Sequence, residues 1–191
     1  MQQQTGVEDK KAWERYEQAM IGHMMTTQID GKNLSIIAHR FSHARQGSLE
    51  FWSAIDKAFQ AQQVMSTQDY CTLIHSFSLM NLLSIEKFVA ICYKIYEAPV
   101  PLQPIDLSQI VSTAKNQNVD SGKDPLQKEF WTRTLDVSLK VIQSNIDRIN
   151  RKTFVVLVNS MHYEFSKATA DKRKVLWALM DKLLLRHLTE L

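Results

Sequence analysis

The apolar positions of residues 33–97 repeat one helical pattern at an offset of 36 residues. LSIIAHRF (34–41) and YCTLIHSF (70–77) place apolar side chains at the same four positions, one helical turn apart. Such spacing puts those side chains on one face of an α-helix. We therefore predict two equivalent amphipathic helices, with Asn33 and Asp69 as their N-caps.

A second helix is predicted after each of these. SLEFWSAID (48–56) and SIEKFVAIC (84–92) share Ser, Glu, Ala and Ile at matching positions, again 36 residues apart. The predicted second helices cover about 48–63 and 84–97. The chain thus contains the same helix pair twice, a pattern typical of repeat proteins.

Two looser copies follow. The third begins at Asp106, a further predicted N-cap, and the fourth contains TFVVLVNSM (153–161), with second helices at 125–147 and 171–189. The offset drifts to 37 and then to about 47 because of a polar insertion at 116–124. One aromatic position of the second helices is predicted to hold Trp52, Phe88, Trp131 and Trp177.

These patterns predict an all-α fold, an α-solenoid of about four helix-turn-helix repeats with a period of about 36. Residues 8–27 form a further helix with Trp13, Tyr16, Met20 and Met24 on one face. An ordinary helical bundle with chance internal similarity is the alternative. The predicted segments are an N-terminal cap, 1–32, and a repeat domain, 33–191, with units at 33–68, 69–105, 106–150 and 151–191.

Composition supports a helical chain without a membrane span. Five Gly and four Pro in 191 residues are few for an all-β fold, and no apolar run approaches the roughly 18 residues of a transmembrane helix. The net charge is +3, with the basic surplus in residues 96–191. That charge permits an RNA contact without requiring one.

The repeated pattern Leu-x-x-Ile-(Ala/Ile)-His-x-Phe-Ser, followed by a turn and Ser-(Leu/Ile)-Glu-x-(Trp/Phe), resembles the heptatricopeptide and octotricopeptide repeats. It is similar in layout to the helical repeats found upstream of RAP domains in organellar RNA proteins. The resemblance covers residues 33–97 well and 106–189 loosely, and no RAP domain follows. It implies a mitochondrial or plastid protein that binds RNA or serves as a helical scaffold.

The sequence contains no clear targeting signal and no catalytic motif. The N-terminus lacks the apolar stretch of a secretory signal, and its acidic residues make it a poor transit peptide. His39 and His43 have helical i, i+4 spacing without the acidic residue of HExxH, and no GxSxG, Walker or dinucleotide motif occurs. Cys71 and Cys92 fit buried thiols. We expect no enzyme activity, no metal and no cofactor.

Candidate RNA-binding residues come from the basic clusters and from polar positions of the first helices. Cationic side chains contact phosphates, and small polar or histidine side chains can contact unpaired bases. The candidates are Arg148, Arg151, Lys152, Lys172, Arg173, Lys174, His39, Arg40, His75 and Asn159. Further polar positions of the same helices are Ser35, Cys71, Ser76, Ser112, Thr113 and Ser160.

The last predicted helix, KVLWALMDKLLLRHLTEL, is apolar on more than one face. A terminal repeat normally has a polar outer side, so we predict that this helix packs against another chain. The candidate interface residues are Leu176, Leu179, Leu183, Leu184 and Leu188. A membrane-surface role is less favoured because the polar face is not strongly basic.

The sequence hypothesis is a non-enzymatic structural and RNA-binding component of an organellar ribonucleoprotein, most concretely the mitochondrial ribosome. Its expected partners are other protein subunits and rRNA. The alternative is an architectural subunit of a mitochondrial respiratory or ATP synthase complex that makes protein–protein contacts only. Mitochondrial localisation follows from the family resemblance alone.

Overall fold

The structure is a computed structural model that describes residues 2–62, 64–167 and 169–189. Those residues form nine α-helices and one 3₁₀ turn at Ile146–Arg148, with no strand among them. The prediction of an all-α protein is confirmed. The helices are α1 Gln2–Thr26, α2 Gly31–His43, α3 Leu49–Gln60, α4 Thr67–Leu79, α5 Ile85–Glu97, α6 Pro104–Asn116, α7 Pro125–Asn145, α8 Arg151–Lys167 and α9 Ala170–Thr189.

The chain divides into two compact units, Met1–Leu82 and Leu83–Leu191. In the first, α1 packs against α3 and α2 packs against α4. In the second, α7 packs against both α5 and α9, and α6 packs against α8. Each unit therefore pairs helices that are next but one in the chain. No helix among the described residues is long and apolar enough to cross a membrane.

The first helices begin three residues earlier than predicted. Asp30 and Ser66 are the N-caps of α2 and α4, and their side-chain oxygens accept from the backbone N–H groups of Asn33 and Asp69. Gln103 occupies the N-cap position of α6. The predictions for Asn33, Asp69 and Asp106 were therefore wrong.

The displaced residues occupy the third helical position, where a polar side chain can bond back to the cap residue. The Asn33 amide donates to Asp30 at 2.7 Å, and Asp69 accepts from the Ser66 hydroxyl at 2.5 Å. Asp106 accepts from the backbone N–H of Gln103. In each of the three helices the predicted residue lies three positions after the actual N-cap. The offsets of 36 and 37 residues between successive helices are therefore the same for both sets.

The turns after α2, α4 and α6 share one geometry. Arg45, Asn81 and Asn118 each have a positive φ of 53–57°. The backbone N–H of the following residue donates to the carbonyl five residues earlier in the chain: Gln46 to Phe41, Leu82 to Phe77 and Val119 to Ala114. This is the Schellman motif, which satisfies carbonyls at a helix end. The repeat seen in the sequence thus extends to backbone conformation.

Tryptophan fastens two of these turns to the next helix. The Trp52 indole N–H donates to the carbonyl of Gln46 at 3.2 Å, and the Trp131 indole donates to the carbonyl of Val119 at 3.0 Å. Gln46 and Val119 occupy the same position in their turns. Phe88 is also buried at the corresponding site, whereas Trp177 is 44% exposed. The predicted aromatic position therefore holds for three helices and was wrong for α9.

The core of each unit is aromatic. In the first unit Phe51 stacks on Phe41 with ring centroids 4.0 Å apart, and Trp13 of α1 meets Phe41 edge-on at 5.0 Å. In the second unit Phe88 and Phe130 lie 5.2 Å apart. Tyr16, predicted on the packed face of α1, is exposed, because α1 is buried at Ile21 and half-buried at Trp13.

Candidate nucleic-acid interface

A basic corner lies between α7 and α8. Arg148 closes the 3₁₀ turn, and Arg151 and Lys152 begin α8; all three side chains are exposed. Asn150 caps the helix, since its side-chain oxygen accepts from the backbone N–H of Thr153 at 2.9 Å. The first turn of α8 contains no acidic residue. Cations and the positive end of the helix dipole therefore coincide here.

Arg186 of α9 holds this corner in place. Its guanidinium donates to the carbonyls of Ile146 and Ile149, each at 2.6 Å. Ile149 is fully buried, so its side chain fixes the connection between α7 and α8 to the core of the unit. Because a planar guanidinium makes two bonds in a fixed geometry, the segment that carries Arg148 is rigidly supported. Asp147 is the one acidic residue within the short 3₁₀ turn.

The second basic cluster, at the start of α9, is weaker than its sequence suggests. Lys172 forms an ion pair with Asp136 of α7. Arg173 and Lys174 are exposed. The thirteen-residue separation of Arg173 from Arg186, at 1.5 Å per residue, places this cluster about 20 Å from the corner. The structure does not bring the two clusters together.

The histidine candidates come together in the first unit. His39 and His43 lie on one face of α2 with ring centroids 4.2 Å apart, and His75 lies on the adjacent α4. Burial, followed by the charges of His43 and His39, lowers the pKa of His75. Burial, then His43 and Arg40, lowers the pKa of His39. Neutral imidazoles are thus favoured beside the exposed Arg40.

Several other polar positions of the first helices are buried instead of available to a ligand. Ser35 donates to Asp69 at 2.8 Å, which ties α2 to α4. Side-by-side packing of these helices leaves little of their polar side exposed. The buried candidates are Ser35, Cys71, Ser76 and Thr113.

Asn159 lies beside a groove that the sequence did not indicate. The groove, about 280 Å³, lies between α8 and the loop after α6. Lys115 reaches across it and donates to the backbone carbonyl of Asn159 at 3.0 Å, and Lys123 donates to the carbonyl of Asn118 at 2.9 Å. His162 and Tyr163 also line it. The signal available in the sequence was Lys115, directly before the polar insertion at 116–124, together with Lys123 within it.

The interface candidates on α9 divide into two groups. Leu176 and Leu183 are fully buried inside the second unit, so their assignment to an interface was wrong. Leu179 is half-buried. Leu184 and Leu188 are exposed, as is Trp177. Sequence alone could not separate them because leucines occur on both sides of this helix.

Side chains of the types that ligate metals are scattered among the described residues. No three His, Cys, Asp or Glu side chains among them come together in a way that could hold a metal ion. Cys71 and Cys92 are buried, and burial raises the pKa of the Cys92 thiol well above its usual value. A buried thiol of raised pKa is a poor nucleophile.

Comparison with known proteins adds no relative. No protein-family model, curated protein or solved structure matches the chain.

Proposed function

We propose that this chain is a non-enzymatic helical-repeat component of an organellar ribonucleoprotein, most concretely the mitochondrial ribosome, that contacts RNA through its basic corner. The observation that carries the proposal is the exposed trio Arg148, Arg151 and Lys152 on a segment held by Arg186. Three cations on a rigid support form a suitable contact for a phosphate backbone.

An α-solenoid is the proposed arrangement of the helices. Its support is the recurrence of helix N-cap positions at 30, 66, 103 and 150, and of the same left-handed turn residue at 45, 81 and 118. Next-but-one packing within each unit is the contact pattern of stacked helix pairs. The assignment to mitochondria rests on the family resemblance described above.

Salt-dependent RNA binding tests the proposal. Arg148→Ala, Arg151→Ala and Lys152→Ala together should weaken binding of single-stranded RNA and lower the slope of log K against log salt by about 2. The matched control replaces Lys10, Lys11 and Arg15, three exposed cations of α1, with Ala. Filter binding at several salt concentrations gives both slopes.

The control trio removes the same charge from another surface. If both triple variants lose the same affinity, binding depends on net charge alone and the corner has no special role. If neither variant differs from the wild type, the RNA proposal is wrong. Sedimentation of the native particle with and without ribonuclease then separates an RNA-containing assembly from a protein one.

The second candidate function is an architectural subunit of a respiratory or ATP synthase complex that makes only protein–protein contacts. The exposed apolar side chains of α9 favour it. It predicts a large particle that is insensitive to ribonuclease, and normal incorporation of the corner triple variant.

A further inference from the structure

An apolar stripe runs along the outside of α9. Trp177, Leu184 and Leu188 are 44%, 46% and 57% exposed, and Leu185 beside them is 64% exposed. The first three have i, i+7 and i+11 spacing, so Leu184 and Leu188 each lie within about 20° of Trp177 around the helix axis. We call these four residues the α9 stripe. Large apolar side chains in such a row mark an interaction surface.

The position of the stripe shows what kind of element fits on it. Lys172 faces α7, where it pairs with Asp136. Trp177 is five residues further on, which is about 140° around the helix from Lys172. The stripe is therefore nearly opposite the side that α7 covers. In the same unit α7 is itself packed between α5 and α9, so a helix placed on the stripe would continue that layer.

Charge indicates the composition of that helix. Arg173 and Lys174 precede Trp177 by four and three residues, so they lie one turn away along the same side of α9. Asp181 lies on the same side of α9, between Trp177 and Leu184. The contact already made by α7 places a carboxylate, that of Asp136, against the cation of Lys172. A second helix packed in this manner would place its carboxylates against Arg173 and Lys174.

From this geometry we propose that the α9 stripe is the docking site for an acidic amphipathic helix of a partner protein. The partner supplies apolar side chains at i, i+4, i+7 and i+11, which pack between Trp177, Leu184 and Leu188. Acidic residues at one end meet Arg173 and Lys174. This proposal does not depend on RNA binding at the basic corner.

Binding of two designed helical peptides to the full chain tests the proposal. Both carry the same leucine stripe; one has Glu at the flanking positions and the other has Lys. Fluorescence anisotropy of the labelled peptides should show binding of the Glu peptide and binding at least ~10-fold weaker for the Lys peptide. The double variant Leu184→Glu, Leu188→Glu should lose Glu-peptide binding by ~10-fold or more, as expected for a central apolar contact.

Val175→Glu is the matched control on the same helix. Val175 is 41% exposed but lies about 160° around α9 from Trp177, so this variant should bind the Glu peptide as the wild type does. Lys174→Glu should reduce the preference for the Glu peptide by ~3-fold, the size expected for an exposed ion pair. Circular dichroism establishes that each variant is folded. Neither exposed leucine contributes to the core, so folding should be unaffected.

Other occupants of the stripe give different results, each of which overturns the proposal. Concentration-dependent self-association that the leucine double variant abolishes would identify a second copy of this chain. Binding to vesicles of anionic phospholipid, lost in the same variant, would identify a membrane surface. Equal affinity for the two peptides, or no affinity for either, would remove the acidic helix as the ligand.

Discussion

The two units close the same kind of helix turn in different ways. In the first unit the turn after α2 is short: Gly47 follows the Schellman residues directly, and Ser48 caps α3. In the second unit eight residues separate α6 from α7. In both units a tryptophan indole nevertheless donates to the carbonyl at the equivalent position of the turn. Trp52 donates to Gln46 in the first unit, and Trp131 donates to Val119 in the second.

The comparison shows where an insertion is tolerated. The extra residues come after the Schellman turn, and polar contacts hold them. Asp120 donates its backbone N–H to Gln127 at 2.8 Å, and its side chain accepts from Gly122 and Lys167. These bonds, first that from Lys167, lower the pKa of Asp120. Trp131 is seven residues from the N-cap of α7, against four for Trp52 in α3, so α7 begins about one turn further ahead of its tryptophan than α3 does.

The largest effect on stability is expected from the phenylalanine that immediately precedes each of these tryptophans. Phe51 and Phe130 are both fully buried, and truncation of either leaves a large cavity. Phe51→Ala and Phe130→Ala should each reduce the free energy of unfolding by ~3–5 kcal/mol. Urea unfolding followed by circular dichroism measures both. A loss below ~1 kcal/mol at one site would show that the two units are not equivalent in packing.

Gly47→Ala should be costly in the short turn. Gly47 has a φ of +100°, and an added Cβ would lie 2.7 Å from both Phe51 Cδ1 and Trp52 Nε1. The strain and the clash should together cost about 2–4 kcal/mol. Thermal unfolding gives the change in stability.

Gly22→Ala is the control for that substitution. Nothing lies within 4 Å of a Cβ at Gly22, inside α1, so the change should stabilise the protein by about 0.5–1 kcal/mol. A stable Gly47→Ala variant would mean that the short turn can shift enough to accommodate the added methyl group.

Trp52→Phe and Trp131→Phe remove the indole N–H and keep an aromatic ring. Each should cost ~1 kcal/mol, the net value of a typical hydrogen bond, plus a smaller packing loss. Phe88 shows that a phenylalanine fits this position. Similar losses in the two units, measured by urea unfolding, would support equivalent roles. A loss confined to Trp131 would mean that only the long loop needs the bond.

The smallest effect is expected from pH and should arise in the first unit. The folded-state pKa values of His39 and His75 lie below their ordinary value because burial disfavours the charged imidazole. The unfolded chain therefore takes up protons first, so stability is complete above pH ~6.5 and falls as the pH drops below it. The positive charges of Arg40 and His43 on α2 add to this effect.

Substitution of the histidines checks that origin. His39→Gln together with His75→Gln should flatten the dependence of unfolding free energy on pH between ~7.5 and ~5. His162→Gln, an exposed position on α8, is the control and should leave the slope unchanged. An unchanged slope in the double variant would contradict the assignment.

Helix order and the core faces of the first helices were predictable, because both follow from local periodicity. The four apolar positions of the third copy, Leu107 to Ala114, are all fully buried as predicted. The helix starts were misplaced by one turn because Asp30 and Asn33 are both good capping residues by type. Only the geometry decides which of them lies outside the helix.

The candidate interface was less predictable because it depends on contacts between distant residues. The support of the basic corner by Arg186 joins residues 37 and 40 positions apart, and no local pattern indicates it. The division of the α9 leucines likewise follows from where α7 and α8 lie. The ion pair between Lys172 and Asp136, which takes Lys172 out of the basic cluster, could not be predicted from a run of charges.

The two buried cysteines give each unit its own chemical reporter of opening. Cys71 belongs to the first unit and Cys92 to the second, and both are inaccessible in the folded chain. A thiol reagent can therefore modify each only after its own unit opens, so labelling rates followed by mass spectrometry of the two peptides measure the opening of each unit within one molecule. Whether the two rates agree reports directly on the cooperativity between the units.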